Sequence, residues 1–253
     1  MDNCNAVATP LNLSQKLTLE LCPKTEEEKK TMEMVPYMEA VGSLLYAAQN
    51  IRPDISFPVN LLSLFSQNPG KGHWLALKRV MGYLKGTVSK GIVFRKSAQS
   101  LTGYCDADCA GDLDQRRSTS GYVFIMQGAA ISWSSHRQRT VALSSTEAEL
   151  TSVVSAMQEA IWLHRLESEL VHGGTEGIKM YCDNKSAIHI IRNNNFSPRT
   201  KHVDIKPKFI REKLRDKSLQ LEYISTSEML ADGLTKAIPA IKNEFINVKL
   251  GLK

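Results

Sequence analysis

The sequence predicts an α/β fold, a mixed β-sheet flanked by helices, preceded by a smaller and mainly helical segment. Three observations support this prediction. Apolar residues recur every three or four positions along 37–50 and 73–84, as in amphipathic helices. Between residues 101 and 134 the pattern changes to short β-prone runs separated by turn residues. After residue 144, helical and strand-like segments alternate, which is typical of a sheet covered by helices.

The first segment, residues 1–98, is predicted to be a small helical unit. Helices are expected over 37–50, 55–65 and 73–84, because Pro53 and the turn 68–70 separate the three apolar runs. A short apolar run at 91–94 is expected to form a strand that leads into the second segment. We find no chemical motif in this first segment.

The second segment, residues 99–240, is predicted to contain the sheet, and residues 241–253 are treated as a C-terminal tail. Its predicted strands are 101–106, 121–126, 129–134, 178–183 and 219–224, the second and third forming a hairpin through Gln127 and Gly128. Its predicted helices are 144–170, one capped by Asn184, one over 201–216 with a kink at Pro207, and a short one at 227–236.

Composition limits the class of protein and its surroundings. The chain has 253 residues, a formal charge of +6 and five scattered cysteines. The odd, dispersed cysteines favour reduced thiols, and no apolar run is long enough to cross a bilayer. We therefore expect an intracellular protein, cytoplasmic or nuclear, that is not secreted and has no membrane partner.

Acidic residues lie beside apolar ones where predicted elements end or begin. Asp106 and Asp183 end strands, Glu149 lies in the first turn of the long helix, and Asp232 lies inside the apolar run 230–234. Ionised carboxylates in apolar surroundings are costly to desolvate, so a converging set implies a cation. Oxygen ligands favour Mg²⁺ or Mn²⁺, and two such ions can flank a phosphodiester during hydrolysis.

Each of these residues also has a simpler interpretation. An aspartate at a strand end commonly caps the next turn or helix, as Asp183 would. Asp108 shares a strand face with Asp106, so both are candidates. A capping box matches both Ser144 with Glu147 and Thr146 with Glu149, and helical periodicity alone does not choose between the glutamates.

Positive charge is concentrated in residues 199–217, which contain eight Lys or Arg but only three Asp or Glu. Such a segment suits the phosphates of a nucleic acid, although an ordinary solvated helix face has the same composition. The loop after the acidic strand is a second candidate for phosphate contact. The predicted nucleic-acid-binding residues are Arg116, Arg117, Ser118, Thr119, Arg199, Lys201, Lys206 and Lys208.

Six short motifs together carry a family resemblance. They read G-Y-C-D-A-D-C-A-G at 103–111, R-S-T-S-G-Y at 117–122, L-S-S-T-E-A-E at 143–149, Y-C-D-N at 181–184, T-K-H-V-D at 200–204 and L-A-D-G-L-T-K at 230–236. In this order they closely resemble the ribonuclease H domain of copia-type LTR retrotransposon Pol polyproteins. The motifs at 41–46 and 52–54 resemble the end of the reverse transcriptase region in the same polyproteins, a segment similar to a thumb or connection.

This resemblance implies an RNase H-like fold and a specific activity. Asp106, Glu149, Asp183 and Asp232 correspond to the catalytic, metal-binding residues, with two Mg²⁺ or Mn²⁺ ions as cofactors. The implied reaction is hydrolysis of the RNA strand of an RNA/DNA hybrid, and the implied partners are that hybrid and the upstream reverse transcriptase domain of the parent polyprotein. A catalytically inactive, retroelement-derived nucleic-acid-binding domain is the alternative function.

The resemblance also separates residues that spacing leaves equivalent. The family's catalytic Glu directly precedes the apolar run of the helix, here Leu150, which favours Glu149. Glu147 is then expected to cap the helix with Ser144. Asp108 becomes a loop or supporting residue rather than a metal ligand.

Overall fold

The computed structural model describes residues 4–96, 100–170, 177–192, 205–215 and 219–253. The chain divides into two compact units. The first comprises residues 1–93 and 236–253, and the second comprises residues 94–235. Within the described ranges, no helix combines the length and the apolar character that a membrane span requires.

The regular elements, in chain order, are α1 (Glu26–Glu33), α2 (Tyr37–Asn50), α3 (Ser56–Ser63), α4 (Lys71–Gly86), β1 (Thr102–Asp108), β2 (Thr119–Met126), β3 (Ala129–Arg137), α5 (Ser145–Leu170), β4 (Ile178–Cys182), α6 (Lys185–Arg192), α7 (Ile205–Arg215), β5 (Leu219–Tyr223) and α8 (Ala240–Lys249). Short 3-10 turns occupy Leu19–Leu21, Pro53–Ile55 and Leu230–Leu234. The predicted helices of the first segment are thus confirmed as α2, α3 and α4.

The first unit buries an apolar core between α2, α3 and α4. Tyr37 of α2 is almost fully buried. Its hydroxyl donates to the carbonyl of Leu62 over 2.9 Å, so burial of this side chain leaves its polar atom hydrogen-bonded. Arg52 and Asp54 form a buried ion pair of 2.7 Å, and the Tyr83 hydroxyl donates to the same carboxylate over 2.7 Å.

Residues 241–253 do not form a tail. They contain α8, whose buried Asn243 and Asn247 side chains donate to the Tyr83 hydroxyl over 3.3 and 2.9 Å. The prediction was wrong because the buried face of α8 carries two asparagines, which interrupt its apolar pattern. The strand expected at 91–94 is also absent; Ile92 forms only an isolated bridge with Leu252.

The second unit contains a five-stranded mixed sheet of order β3-β2-β1-β4-β5. The first three strands are antiparallel neighbours, and β1-β4 and β4-β5 are parallel pairs. Residues 127 and 128 join β2 to β3 with positive φ angles of 54° and 74°, as expected for a tight hairpin. The predicted α/β fold with a mixed sheet flanked by helices is confirmed.

Helix α5 covers β1 and β2 with its apolar face, and this packing forms the main core of the second unit. The strand register then decides which residues meet. Tyr104 of β1 lies opposite Tyr181 of β4 in the parallel pair, so Asp106 within β1 and Asp183 just after β4, each two residues further, lie at the same level. Asp106 itself pairs across β1-β2 with Gly121.

One predicted helix is only partly described, and another differs from the structure. The helix predicted over 201–216 is described as α7 from Ile205 to Arg215, with Pro207 as its third residue, and residues 201–204 lie outside the described residues. Residues 227–236 form only the 3-10 turn Leu230–Leu234. Gly233 disfavours a longer helix there.

Candidate metal centre

Asp106 lies on the central strand β1 and is only 2% exposed. The side-chain hydroxyl of Thr235 donates a short hydrogen bond to its Oδ2 atom. The Ser152 hydroxyl of α5 donates to the main-chain carbonyl of Asp106 over 2.6 Å, which ties helix to strand at this residue. Asp106 is therefore held both through its backbone and through its carboxylate.

Glu149 lies on the face of α5 that packs against the sheet, and it is 5% exposed. Burial raises its pKa to about 10, and the nearby Cys182, Asp106 and Asp183 add to the shift. The backbone N–H of Glu147 donates to the Ser144 hydroxyl over 3.2 Å, while the Glu147 carboxylate accepts from the N–H of Leu143 over 2.8 Å. Glu147 thus caps the helix, as predicted, and Glu149 faces the site.

Asp183 follows β4 directly and is half-buried. Its Oδ2 atom accepts a hydrogen bond of 2.7 Å from the Thr226 hydroxyl. The capping of α6 is performed by Asn184, whose side-chain oxygen accepts from the N–H of Ala187 over 2.9 Å. The simpler interpretation of Asp183 as a helix cap is therefore wrong.

Asp232 is fully buried in the 3-10 turn Leu230–Leu234. This turn packs against β1 and β2. A Cβ atom on Gly121 would lie 2.8 Å from both Leu234 Cβ and Thr235 Cγ2, so only glycine lets the turn approach the sheet this closely.

The four predicted residues converge in two overlapping groups. Asp106, Asp183 and Asp232 each offer a carboxylate oxygen, and these atoms lie within 4.8 Å of one another. Glu149, Cys182 and Asp183 form the second group under the same limit. Asp183 belongs to both. Crowded, largely buried carboxylates with oxygen donors fit a hard divalent cation such as Mg²⁺ or Mn²⁺.

Sequence reasoning missed Cys182, which ends β4 and is fully buried. Its Sγ atom lies 3.9 Å from Glu149 Oε2 and accepts a hydrogen bond of 3.4 Å from the N–H of Asn184, while the buried Cys105 thiol donates to the carbonyl of Tyr181 over 3.4 Å. Interaction with Cys182, together with burial, raises the pKa of Cys105, and interaction with Cys105 lowers the pKa of Cys182. The position of Cys182 immediately before Asp183 was the available signal.

Asp108 is not a member of either group. It ends β1, and its Oδ2 atom would lie 2.0 Å from a Cβ atom built on Gly111, so its carboxylate turns toward the loop. That loop is anchored by an ion pair of 2.7 Å between Arg137 and Asp112. Burial of Asp112 opposes ionisation, but Arg137 and two loop N–H groups together lower its pKa. Asp108 thus lies with this loop.

The loop residues predicted to contact phosphate have different surroundings. Arg116 is exposed with a positive φ of 57°, and Arg117 and Thr119 are half-buried. Ser118 is fully buried, and its hydroxyl accepts a hydrogen bond of 3.1 Å from the N–H of Ala110. We therefore withdraw Ser118 from the set, because its hydroxyl closes the loop instead of facing a ligand.

The basic segment is only partly described. Arg199 and Lys201 lie outside the described residues, as do the side chains of Lys206 and Lys208. Arg211 donates through its guanidinium to the carbonyls of Ile190 and Ile191, both over 2.8 Å. This arginine satisfies carbonyls at the C-terminal end of α6, so part of the positive charge stabilises the fold.

Comparison with known proteins gave matches along the whole chain. The Retrovirus-related Pol polyprotein from transposon TNT 1-94 of Nicotiana tabacum is 46% identical over 252 residues, which is 100% of this chain and 19% of that protein. That from transposon RE2 of Arabidopsis thaliana is 40% identical over 97% of this chain and 16% of its own length. The chain therefore spans less than a fifth of these relatives.

A shorter relative, Secreted RxLR effector protein 161 of Plasmopara viticola, is 50% identical over 133 residues, covering 52% of this chain and 94% of that protein. Among solved structures, RNase H1 from the archaeon Halobacterium salinarum NRC-1 covers 54% of this chain and 95% of its own, with 13% identity and a TM-score of 0.38. No family model matches the sequence.

Proposed function

The chain belongs to the retrovirus-related Pol polyproteins of copia-type transposons, and from this premise we propose that it is a metal-dependent endonuclease that hydrolyses the RNA strand of RNA/DNA hybrids. The observation that carries the proposal is the convergence of carboxylates from four separate elements, with Asp106, Glu149 and Asp232 at most 5% exposed. Such a set is unfavourable without a cation.

The carboxylates would form two cation sites. Asp106, Asp183 and Asp232 would hold one Mg²⁺ or Mn²⁺ ion, and Glu149 with Asp183 would hold a second. When bound, such a pair of ions activates a water for attack on phosphorus and stabilises the leaving oxygen. Because burial raises its pKa, Glu149 holds a proton at neutral pH without a cation, so ion binding is coupled to release of that proton.

The substrate class follows from the resemblance of the six motifs to the copia-type ribonuclease H domain. Two features of the chain are compatible with a polyanionic substrate. Arg116 is exposed and Arg117 half-buried in the loop that follows the strand of Asp106. The segment 199–217 carries most of the net positive charge. Phosphate contacts of this kind give affinity without sequence preference.

The first unit is proposed to act beside the reverse transcriptase domain of the parent polyprotein. The motifs at 41–46 and 52–54 support this assignment.

A cleavage assay tests the proposal. The purified chain is incubated with Mg²⁺ and a hybrid labelled on the RNA strand, beside Asp106→Asn and the control Asp114→Asn, an exposed aspartate of the neighbouring loop. We expect nicking by the wild type and the control, and none by Asp106→Asn. Cutting by Asp106→Asn at the wild-type rate overturns the site. Salt-sensitive hybrid binding with no cleavage would favour the inactive binding domain.

A further inference from the structure

The hydroxyl of Thr235 contacts one candidate metal ligand, and Thr235 directly follows the turn that carries another. Thr235 is fully buried and follows the 3-10 turn Leu230–Leu234, three residues after Asp232. Its hydroxyl donates to Asp106 Oδ2 and also lies 3.2 Å from the main-chain carbonyl oxygen of Asp232. One short element therefore supplies one carboxylate of the group and a hydrogen-bond donor to another.

The surroundings of Thr235 fix its side-chain orientation. A β-branched side chain has few χ1 rotamers, and the Cγ2 methyl of Thr235 lies where a Cβ atom on Gly121 would come within 2.8 Å. Gly121 is the cross-strand partner of Asp106. Because Gly121 has no side chain, the methyl group of Thr235 fits opposite Asp106. This packing orients the Thr235 hydroxyl toward the Asp106 carboxylate.

A donor at this position has a specific consequence for cation binding. Asp106 is 2% exposed, so water contributes little to its solvation. A hydrogen bond to Oδ2 restrains rotation of the carboxylate and leaves the other oxygen for a cation shared with Asp183 and Asp232. Groups that orient metal ligands in this way commonly change metal affinity when they are removed.

The same unit contains an exposed counterpart. The Thr226 hydroxyl donates to Asp183 Oδ2 over 2.7 Å, but Thr226 is exposed. Water can replace an exposed donor at little cost. The two threonines therefore make the same type of contact, but Thr235 is buried and Thr226 is exposed.

We propose that Thr235 is a positioning residue that orients the Asp106 carboxylate for a divalent cation. This inference rests on the proposed function, because it assumes that the carboxylates bind an ion. Thr235 is the threonine of the L-A-D-G-L-T-K motif and is not one of the four acidic residues.

The test measures Mn²⁺ affinity of the full chain by calorimetry, without nucleic acid. Thr235→Val keeps the shape but removes the donor, and Thr235→Ser keeps the hydroxyl. We expect about a 10- to 100-fold weaker affinity for Thr235→Val, rescue by Thr235→Ser, and a smaller loss for Thr226→Val. Thr102→Val is the matched control, since that hydroxyl lies on the same strand as Asp106 but donates to the carbonyl of Ser100, and its removal should leave the Mn²⁺ affinity unchanged.

The outcomes separate the two proposals. Absence of Mn²⁺ binding by the wild type refutes the proposed function, and with it this inference. Wild-type affinity in Thr235→Val refutes the positioning role alone. If Thr235→Val does not fold, Thr235→Cys provides the comparison, because a thiol is a much weaker donor than a hydroxyl. Affinity of Thr235→Cys equal to that of Thr235→Ser overturns the inference.

Discussion

Replacing Glu149 with glutamine should remove a pH dependence from the stability of the metal-free protein. The carboxyl of Glu149 is buried beside Asp106, Asp183 and Cys182, and burial first, then these neighbours, raise its pKa from 4.5 to about 10. The folded state therefore keeps a proton that the unfolded chain loses above its ordinary pKa. Glutamine resembles the protonated side chain in size and does not titrate.

The sign and size of the effect follow from proton linkage. Between pH 4.5 and about 10 the folded protein binds one proton more than the unfolded chain, so the free energy of unfolding falls as the pH rises. The slope for one proton is about 1.4 kcal/mol per pH unit. From pH 6.5 to 8.5, the wild type should lose about 2.7 kcal/mol relative to Glu149→Gln.

Urea unfolding at several pH values, with a chelator present throughout, measures this difference. Comparing wild type with variant cancels the titration of groups that Glu149 does not influence, such as His136, whose pKa is lowered by burial and by Arg139. Glu169→Gln is the matched control, because Glu169 is an exposed carboxylate on the same helix, and its slope should equal that of the wild type. Parallel stability curves for wild type and Glu149→Gln would refute the buried, protonated state of Glu149.

Three further substitutions have defined expectations. Ser152→Ala removes the hydroxyl that bonds the carbonyls of Asp106 and Gly121, and should cost about 1–3 kcal/mol in urea unfolding. Gly121→Ala brings a Cβ atom to 2.8 Å from Leu234 Cβ, and should cost about 1–3 kcal/mol while weakening Mn²⁺ binding in calorimetry. Gly42→Ala lies on an exposed helix position with free space around it, and should raise stability by about 0.5–1 kcal/mol; a loss of stability in thermal melts would contradict this.

The sheet and its helices were largely predictable because their patterns are local. The predicted pair 121–126 and 129–134 became β2 and β3, joined through residues 127 and 128 as expected. The long helix predicted at 144–170 appears as α5 from Ser145 to Leu170. Periodicity and turn residues carry this information within a dozen positions.

Features that depend on distant contacts were not predictable. Helix α8 is buried through Asn243 and Asn247, whose partner Tyr83 lies about 160 residues earlier in the chain. At the candidate site, the placement of acidic residues beside apolar ones and the family resemblance together predicted the four carboxylates, but neither indicated the buried thiol of Cys182 or the hydroxyl of Thr235. Those two side chains gain their significance from strand register and from the close approach at Gly121.

We propose that Asp106, Glu149, Asp183 and Asp232 together bind divalent cations. Anomalous scattering from crystals of this chain soaked in Mn²⁺ locates such ions. We predict one peak within bonding distance of Asp106, Asp183 and Asp232 and a second beside Glu149 and Asp183. An anomalous map in which Mn²⁺ binds elsewhere on the chain, with no peak at Asp106, would refute this metal site.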